Sequence, residues 1–444
     1  MSAEPTIQFG HTGGSLPLSG NANMQTPHPQ TKRVALFGLF GCGNLGNDAS
    51  LTAILDLLHR QIPDASITCI CPAPEVVQRT HGVRALRLGL QDSDATPAGK
   101  LAKFLPTRLA NLVRVMRCRE FDLLIFPGTG ILDDFGASPW TLPLSILVWC
   151  GAMRLHGGQV AFVSIGAGPI HHPLTRIFMK QAARLANYRS YRDVVSKDFM
   201  DSLGLDVRGD EVFPDLAFSL PTADQLDLPE GREPVVGLSL MSYYGWRHDR
   251  EAGREIHRSY MRKMESFVRW LLSRGYRVRF LMSDQADKAA ADELIAMLAA
   301  RSPAPPAEAL VADVAHSLHD VMRQVAETEL VVATRFHSVV SALMHGKPVI
   351  SIGYAKKNDA LLSEMGMGKF TQNIEDLDPK LLIEQFLKLQ SNRELYVPQI
   401  RETATLYREH LSRQERVLAR LLLGLGEDVP LGGAIREGRF EPSR

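Results

Sequence analysis

At 444 residues, 45% of them hydrophobic, the chain is too long for one ordinary core and has enough apolar residues for two. Its 50 Lys and Arg balance 49 Asp and Glu, so no net field draws in nucleic acid or an anionic membrane. Any anionic ligand has to be caught locally. The five cysteines are odd in number and lack zinc-ligand spacing, and no His, Cys and carboxylate cluster has the spacing of a metal site. Reduced thiols, a cytoplasmic location, no metal and no bound cofactor are the expectations.

Residues 1–31, rich in Gly, Pro, Ser and Asn, read as a disordered leader and not as a signal peptide. The most apolar stretch, WTLPLSILVWCGAM, falls short of the roughly 20 residues that span a bilayer. Peripheral association with a membrane stays open, as does the oligomeric state. Short apolar runs then alternate with longer amphipathic segments: RVALFGLF, SITCIC, FDLLIFPG and QVAFVSIG, followed by PVVGLSL, YRVRFLMSD, ELVVAT and PVISIGY. Such alternation implies parallel strands with helices on both faces, here in two Rossmann-like sets. A Pro- and Asp-rich stretch, 219–234, separates the sets. The expected organisation is an N-terminal domain over 32–220, a C-terminal domain over 234–378, terminal helices over 379–425 interrupted at Pro398, and a disordered tail over 426–444.

Three strand ends carry candidate chemistry. After RVALF comes a turn with Gly38, Gly41, Gly43, Asn44 and Gly46, and a helix is expected from about Asn47 or Asp48. Glycines let backbone approach a ligand, and a helix start offers unpaired N–H groups. GCGNLG also satisfies the dinucleotide pattern GxGxxG, but SITCICPAPE lacks the acidic ribose partner at the end of the next strand. The second strand end, FPGTGILDD, brings Gly128 and Gly130, with Asp133 or Asp134 able to cap a helix or bind a sugar hydroxyl. SIGAGPIHHP repeats the pattern, and His171 and His172 read as solvated loop residues. The third, ATRFHSVVSALMHGKPVISIGY, sets Arg335 and His337 where a buried strand becomes a helix that Thr334 or Ser338 can cap. That is an anion pocket with a proton-transfer group inside it, or else a structural ion pair with a capping histidine. Lys356 and Lys357 follow the next strand at the same edge.

These motifs, taken in order, resemble the polysaccharide pyruvyl transferase family. GNLGND stands where that family has GN(L/I)GDE, FPGTGILDD where it has a glycine cluster ending in an acid, and SYRDVVSKDFMDSLGL matches its S-x-R-D element. FPDLAFSLP matches D-x-A-F, and TRFHSVVSALMHGKPVISIGYAKK matches R-x-H-S through Y-x-x-K. Together they cover roughly residues 34–370. The resemblance implies a two-domain GT-B-like α/β fold and transfer of a pyruvyl group from phosphoenolpyruvate to a sugar or lipid-linked acceptor, forming a ketal. It further implies that Arg335, His337 and Arg192 serve the phosphoenolpyruvate, with the family lysine falling on Lys357, where it could add positive charge. His337 is the expected general acid or base because the ordinary imidazole pKa of about 6.5 lies near working pH. Asn47 and Asp48 in place of Asp and Glu, and PGTG in place of a glycine run, depart from the pattern on the side where such folds receive the acceptor. A GT-B glycosyltransferase using a nucleotide sugar and a non-catalytic glycan-binding relative remain as alternatives.

Overall fold

The computed structural model describes residues 31–88, 117–135, 137–222, 233–245, 250–282, 287–315 and 317–423. The leader up to residue 30, the tail from 426 and most of the expected boundary at 219–234 lie outside the described residues. Two parallel sheets organise the rest. The first contains β1 (Arg33–Phe37), β2 (Ser66–Cys71), β3 (Arg84–Arg87), β4 (Leu123–Pro127), β5 (Gln159–Ile165), β6 (Tyr188–Tyr191) and β7 (Glu211–Val212), in the order β3-β2-β1-β4-β5-β6-β7. The second contains β8 (Val235–Ser239), β9 (Arg277–Phe280), β10 (Leu310–Val311), β11 (Leu330–Ala333), β12 (Val349–Gly353) and β13 (Thr371–Asn373), in the order β10-β9-β8-β11-β12-β13. This is an α/β fold of two Rossmann-like halves, the arrangement of GT-B proteins.

The strands form because their apolar runs are buried on both faces. Val34 and Leu36 of β1 join one core and Ala35 and Phe37 the other, as the two-residue period of a strand requires. In each sheet the strand order reverses beside a central pair, β1 with β4 and β8 with β11. At such a reversal the loops diverge and leave a crevice at the carboxyl edge. The glycine turns after β1 and β4 and the Arg335 segment after β11 are therefore brought to the crevice edges by topology.

The C-terminal segment forms two helices, Pro379–Ser391 and Arg393–Leu423, and the break falls at Asn392 instead of Pro398. Pro398 sits close to the start of the second helix, where its missing N–H removes one backbone hydrogen bond and most of the helix continues beyond it. That helix reaches back to the first sheet. Gln414 accepts a hydrogen bond from Ser164 Oγ (3.1 Å) and donates to Ser190 Oγ (2.8 Å), all three being buried. Arg60 pairs with Glu415 at 2.7 Å, and Arg413 pairs with Glu211. Among the described residues no helix is long and apolar enough to cross a membrane.

Candidate functional site

The buried strand β11 delivers Thr334 and Arg335 to the edge, and the helix Phe336–Met344 begins at once. Neither expected cap is used. Thr334 Oγ1 hydrogen-bonds the Tyr260 hydroxyl at 2.9 Å and Ser338 Oγ meets Ser239 Oγ at 2.8 Å, both inside the second half. Arg335 occupies the N-cap position and makes no capping hydrogen bond with its side chain. Its guanidinium turns toward Asp287, donating to Oδ1 from Nε at 2.7 Å and from Nη2 at 2.6 Å; Asp287 is 1% exposed.

His337 points the other way, into the first half. Its ring lies on Gly46: a Cβ at that glycine would stand 2.0 Å from His337 Nδ1. Nε2 is 3.9 Å from Asp215 Oδ2 and has no hydrogen-bond partner among the described residues. Burial, and then the positive charges of Arg192, Lys357 and Arg335, hold the imidazole pKa down to about 3. The ring is neutral at pH 7, so the ordinary value near 6.5 that favoured it as a proton-transfer group does not apply in this setting.

Arg192, just past β6, is the first half's cation, and it is only 8% exposed. Nε lies 3.5 Å from Asp193 Oδ2 and Nη1 lies 3.5 Å from Asp215 Oδ2. The guanidinium covers the Phe336 ring at 4.5 Å, which joins the halves through a cation–π contact. Gly166 makes room for it, since a Cβ there would come within 2.6 Å of Nη2. Lys357, in the first turn of the helix Lys356–Glu364, brings Nζ to 5.2 Å from the Tyr354 ring and 5.7 Å from that of Phe336. A cavity of about 450 Å³ opens among Gly130, Asp133, Arg192, Tyr354, Lys356 and Lys357.

Of the two adjacent aspartates after β4, Asp133 lines that cavity and Asp134 does not. Asp134 Oδ2 accepts the backbone N–H groups of His171 (2.6 Å) and His172 (2.9 Å), so it ties two loops together and does not line the cavity. Burial pushes the Asp133 carboxyl up to about 6, against the pull of Lys357, the Phe135 N–H and Arg192. His172 caps the helix Pro173–Arg184 and is exposed, while His171 borders the cavity.

The first glycine turn serves a different space. Asn44 caps the helix Leu45–Gln61, accepting from the N–H groups of Gly46 (3.1 Å) and Asn47 (3.3 Å). The helix thus starts two residues before the expected Asn47, and Asp48 Oδ1 takes the Gly41 N–H at 2.8 Å. Gly41 and Gly43 border a cleft of about 970 Å³ that faces Lys288, Ser317 and Met322 of the second half. Gly128 has a left-handed φ of +54° and packs on Ser50 and Leu216, which makes its role one of turning the chain.

The candidates therefore separate. Gly130, Arg192 and Lys357 share the smaller cavity, Gly41 and Gly43 border the larger, and Gly46 and His337 pack against each other. Asp133, one of the two aspartates read after β4, belongs to the site, and so do Asp193, Asp215, Gly166 and Phe336, which were not singled out from sequence. Asp193 and Asp215 stood inside the R-D and D-x-A-F motifs, which gave the signal for them without a role.

Solved structures similar to this chain share its fold. A Listeria monocytogenes protein assigned as a UDP-N-acetylglucosamine 2-epimerase is 12% identical, with 89% of this chain and 97% of that one covered and a TM-score of 0.61. The Neisseria meningitidis UDP-GlcNAc 2-epimerase bound to UDP-GlcNAc gives 11%, 86%, 100% and 0.53, and the glycosyltransferase SnogD from Streptomyces nogalater gives 13%, 89%, 100% and 0.52. At these identities the likeness concerns the fold alone. No curated protein matches the chain. The family model for polysaccharide pyruvyl transferases matches residues 44–356, a span that runs from the Asn44 cap through Arg192 and His337 to Lys356. With most of its length inside that match, the chain belongs to the polysaccharide pyruvyl transferase family.

Proposed function

We propose that this chain transfers a pyruvyl group from phosphoenolpyruvate to hydroxyls of a polysaccharide or its precursor, closing a ketal. One observation carries the reading: Arg192 from the first half and Lys357 from the second meet at one cavity of about 450 Å³, with His337 between the halves. Phosphoenolpyruvate carries a carboxylate and a phosphate, and a planar guanidinium with an ammonium offers one bidentate and one point-charge partner. Arg335 adds positive charge from the second half while Asp287 holds it in place. His337, neutral and packed on Gly46, lines neither cavity and joins the two halves beside Arg192. The attacking hydroxyls have to reach the donor in this same cavity, which shares no lining residue with the larger cleft beside Gly41 and Gly43. No metal or cofactor enters this scheme.

Ligand-induced thermal shift tests it. Phosphoenolpyruvate raises the melting temperature of the wild type, because a ligand bound only by the folded state stabilises it. Arg192→Ala weakens that binding by about 2–4 kcal/mol, the range for removing one partner of a desolvated charge pair. The 970 Å³ cleft also fits a nucleotide sugar. A shift with UDP-sugars and none with phosphoenolpyruvate would replace the pyruvyl reading by glycosyl transfer.

A further inference from the structure

The smaller cavity holds a carboxylate for which the phosphoenolpyruvate-binding scheme has no use. After β4 the chain turns through Gly128 and Gly130, and Asp133 comes to lie beside Arg192 and Lys357. The backbone N–H of Phe135 donates to its Oδ1 at 3.1 Å, which fixes one oxygen. The other borders the space above Gly130: a Cβ there would stand 3.9 Å from Asp133 Oδ2 and 3.4 Å from Arg192 Nη2. The neighbouring carboxylates have other work. Asp134 ties the His171 and His172 amides, and Asp193 caps the helix Val194–Ser202 by accepting from Ser196 N at 2.6 Å.

We propose that Asp133 is the proton carrier of this site, giving a proton to the methylene carbon of phosphoenolpyruvate and recovering one from the attacking sugar hydroxyl. The proposal rests on the phosphoenolpyruvate reading above. In the first step the C=C electron pair takes the Asp133 proton, leaving a methyl group and an oxocarbenium carbon. A hydroxyl oxygen then bonds that carbon and returns its proton to Asp133. The carbon–oxygen bond to phosphate breaks, its electron pair leaving with the phosphate, which takes the Asp133 proton. A second hydroxyl closes the ketal and reloads Asp133. The sum is a diol plus phosphoenolpyruvate giving a ketal plus hydrogen phosphate.

The surroundings suit that traffic. Burial brings the Asp133 carboxyl up to about 6, near working pH, whereas His337 is held far below it. The charged and titratable groups facing Asp133 are Lys357 and Lys356 from one helix with Tyr354 just before it, Arg192 and Asp193 after β6, Asp134 beside it and His171 across the cavity. An arriving anion offsets the two nearest cations and repels the carboxylate, so Asp133 takes up a proton as phosphoenolpyruvate binds.

That uptake needs no acceptor to be measured. Titration calorimetry of the full chain with phosphoenolpyruvate at pH 7.5, in Tris and in HEPES, reads protons bound per ligand from the difference in heats. The expected result is close to one proton for the wild type, close to none for Asp133→Asn, and the wild-type value for His337→Gln. Asp133→Asn also binds phosphoenolpyruvate several-fold more tightly, since a neutral amide replaces a like charge. Asp133→Glu restores the uptake, which separates lost chemistry from lost folding. Unchanged uptake in Asp133→Asn, or uptake abolished in His337→Gln alone, overturns the assignment while leaving the phosphoenolpyruvate reading intact. A wild type that binds no phosphoenolpyruvate overturns that reading and this one with it.

Discussion

The glycine turn after β1 and the glycine turn after β4 lie at the same edge of one sheet, yet they meet opposite neighbours. At Gly46 the missing side chain is replaced by protein, the His337 ring lying where a Cβ would go. At Gly130 the nearest atoms to an added Cβ are 3.4 Å and 3.9 Å away, and the space beyond is cavity. One absence lets the two halves interlock; the other leaves room for a ligand. The contrast extends to the charged groups. Burial with three nearby cations keeps His337 neutral, while burial keeps Asp133 close to titration despite two of the same cations.

The same substitution in both turns gives the sharpest test. Gly46→Ala forces the His337 ring aside and costs about 2–3 kcal/mol of stability, the scale of overpacking in a close-packed interior. Denaturant unfolding measures it, and a cost near zero would mean that the two halves are not held against each other at this point.

Acid unfolding probes the histidine side of the contrast. The folded-state pKa of His337 is lowered to about 3, so below about pH 6.5 the unfolded chain binds a proton that the folded chain refuses. Stability is therefore lost as pH falls through that range, by about 1–2 kcal/mol between pH 7 and pH 5 from this group. His337→Gln flattens that part of the profile, and an unchanged slope would show the ring to be protonated in the folded protein.

Gly130→Ala has the smallest expected effect. The new methyl makes ordinary contacts, so stability changes by less than about 1 kcal/mol. Phosphoenolpyruvate binding weakens by about 1 kcal/mol, roughly fivefold, because the methyl stands beside Arg192 Nη2 in the cavity. A large loss of stability here would make the two turns alike.

The long, continuously apolar strands were legible in the sequence: the eight runs read from it fall on β1, β2, β4, β5, β8, β9, β11 and β12. Five strands went unread. β7, β10 and β13 have two or three residues, and β3 and β6 are four-residue strands carrying arginines. Such segments are strands because an existing sheet edge pairs with them, not because their own pattern requires it. The cap after β11 was misread for a similar reason. Thr334 and Ser338 are good capping residues, but buried hydroxyl partners on Tyr260 and Ser239 take both.

By itself the sequence determined the alternation of strands and helices, and hence two parallel sheets whose strand ends carry the glycines, Arg192, Arg335, His337 and Lys357. These follow from local patterns: apolar period, turn residues and motif order. Direction was decided only by the tertiary structure. Arg335 and His337 are two residues apart at a helix start, about 200° around its axis, so one turns to Asp287 in its own half and the other crosses to Gly46 and Asp215. Asp133 and Asp134 are adjacent, yet one enters the cavity and the other binds a loop. A sequence pattern places a residue on an element; which neighbour its side chain meets, and with what charge, depends on chain segments folded in from dozens to hundreds of residues away.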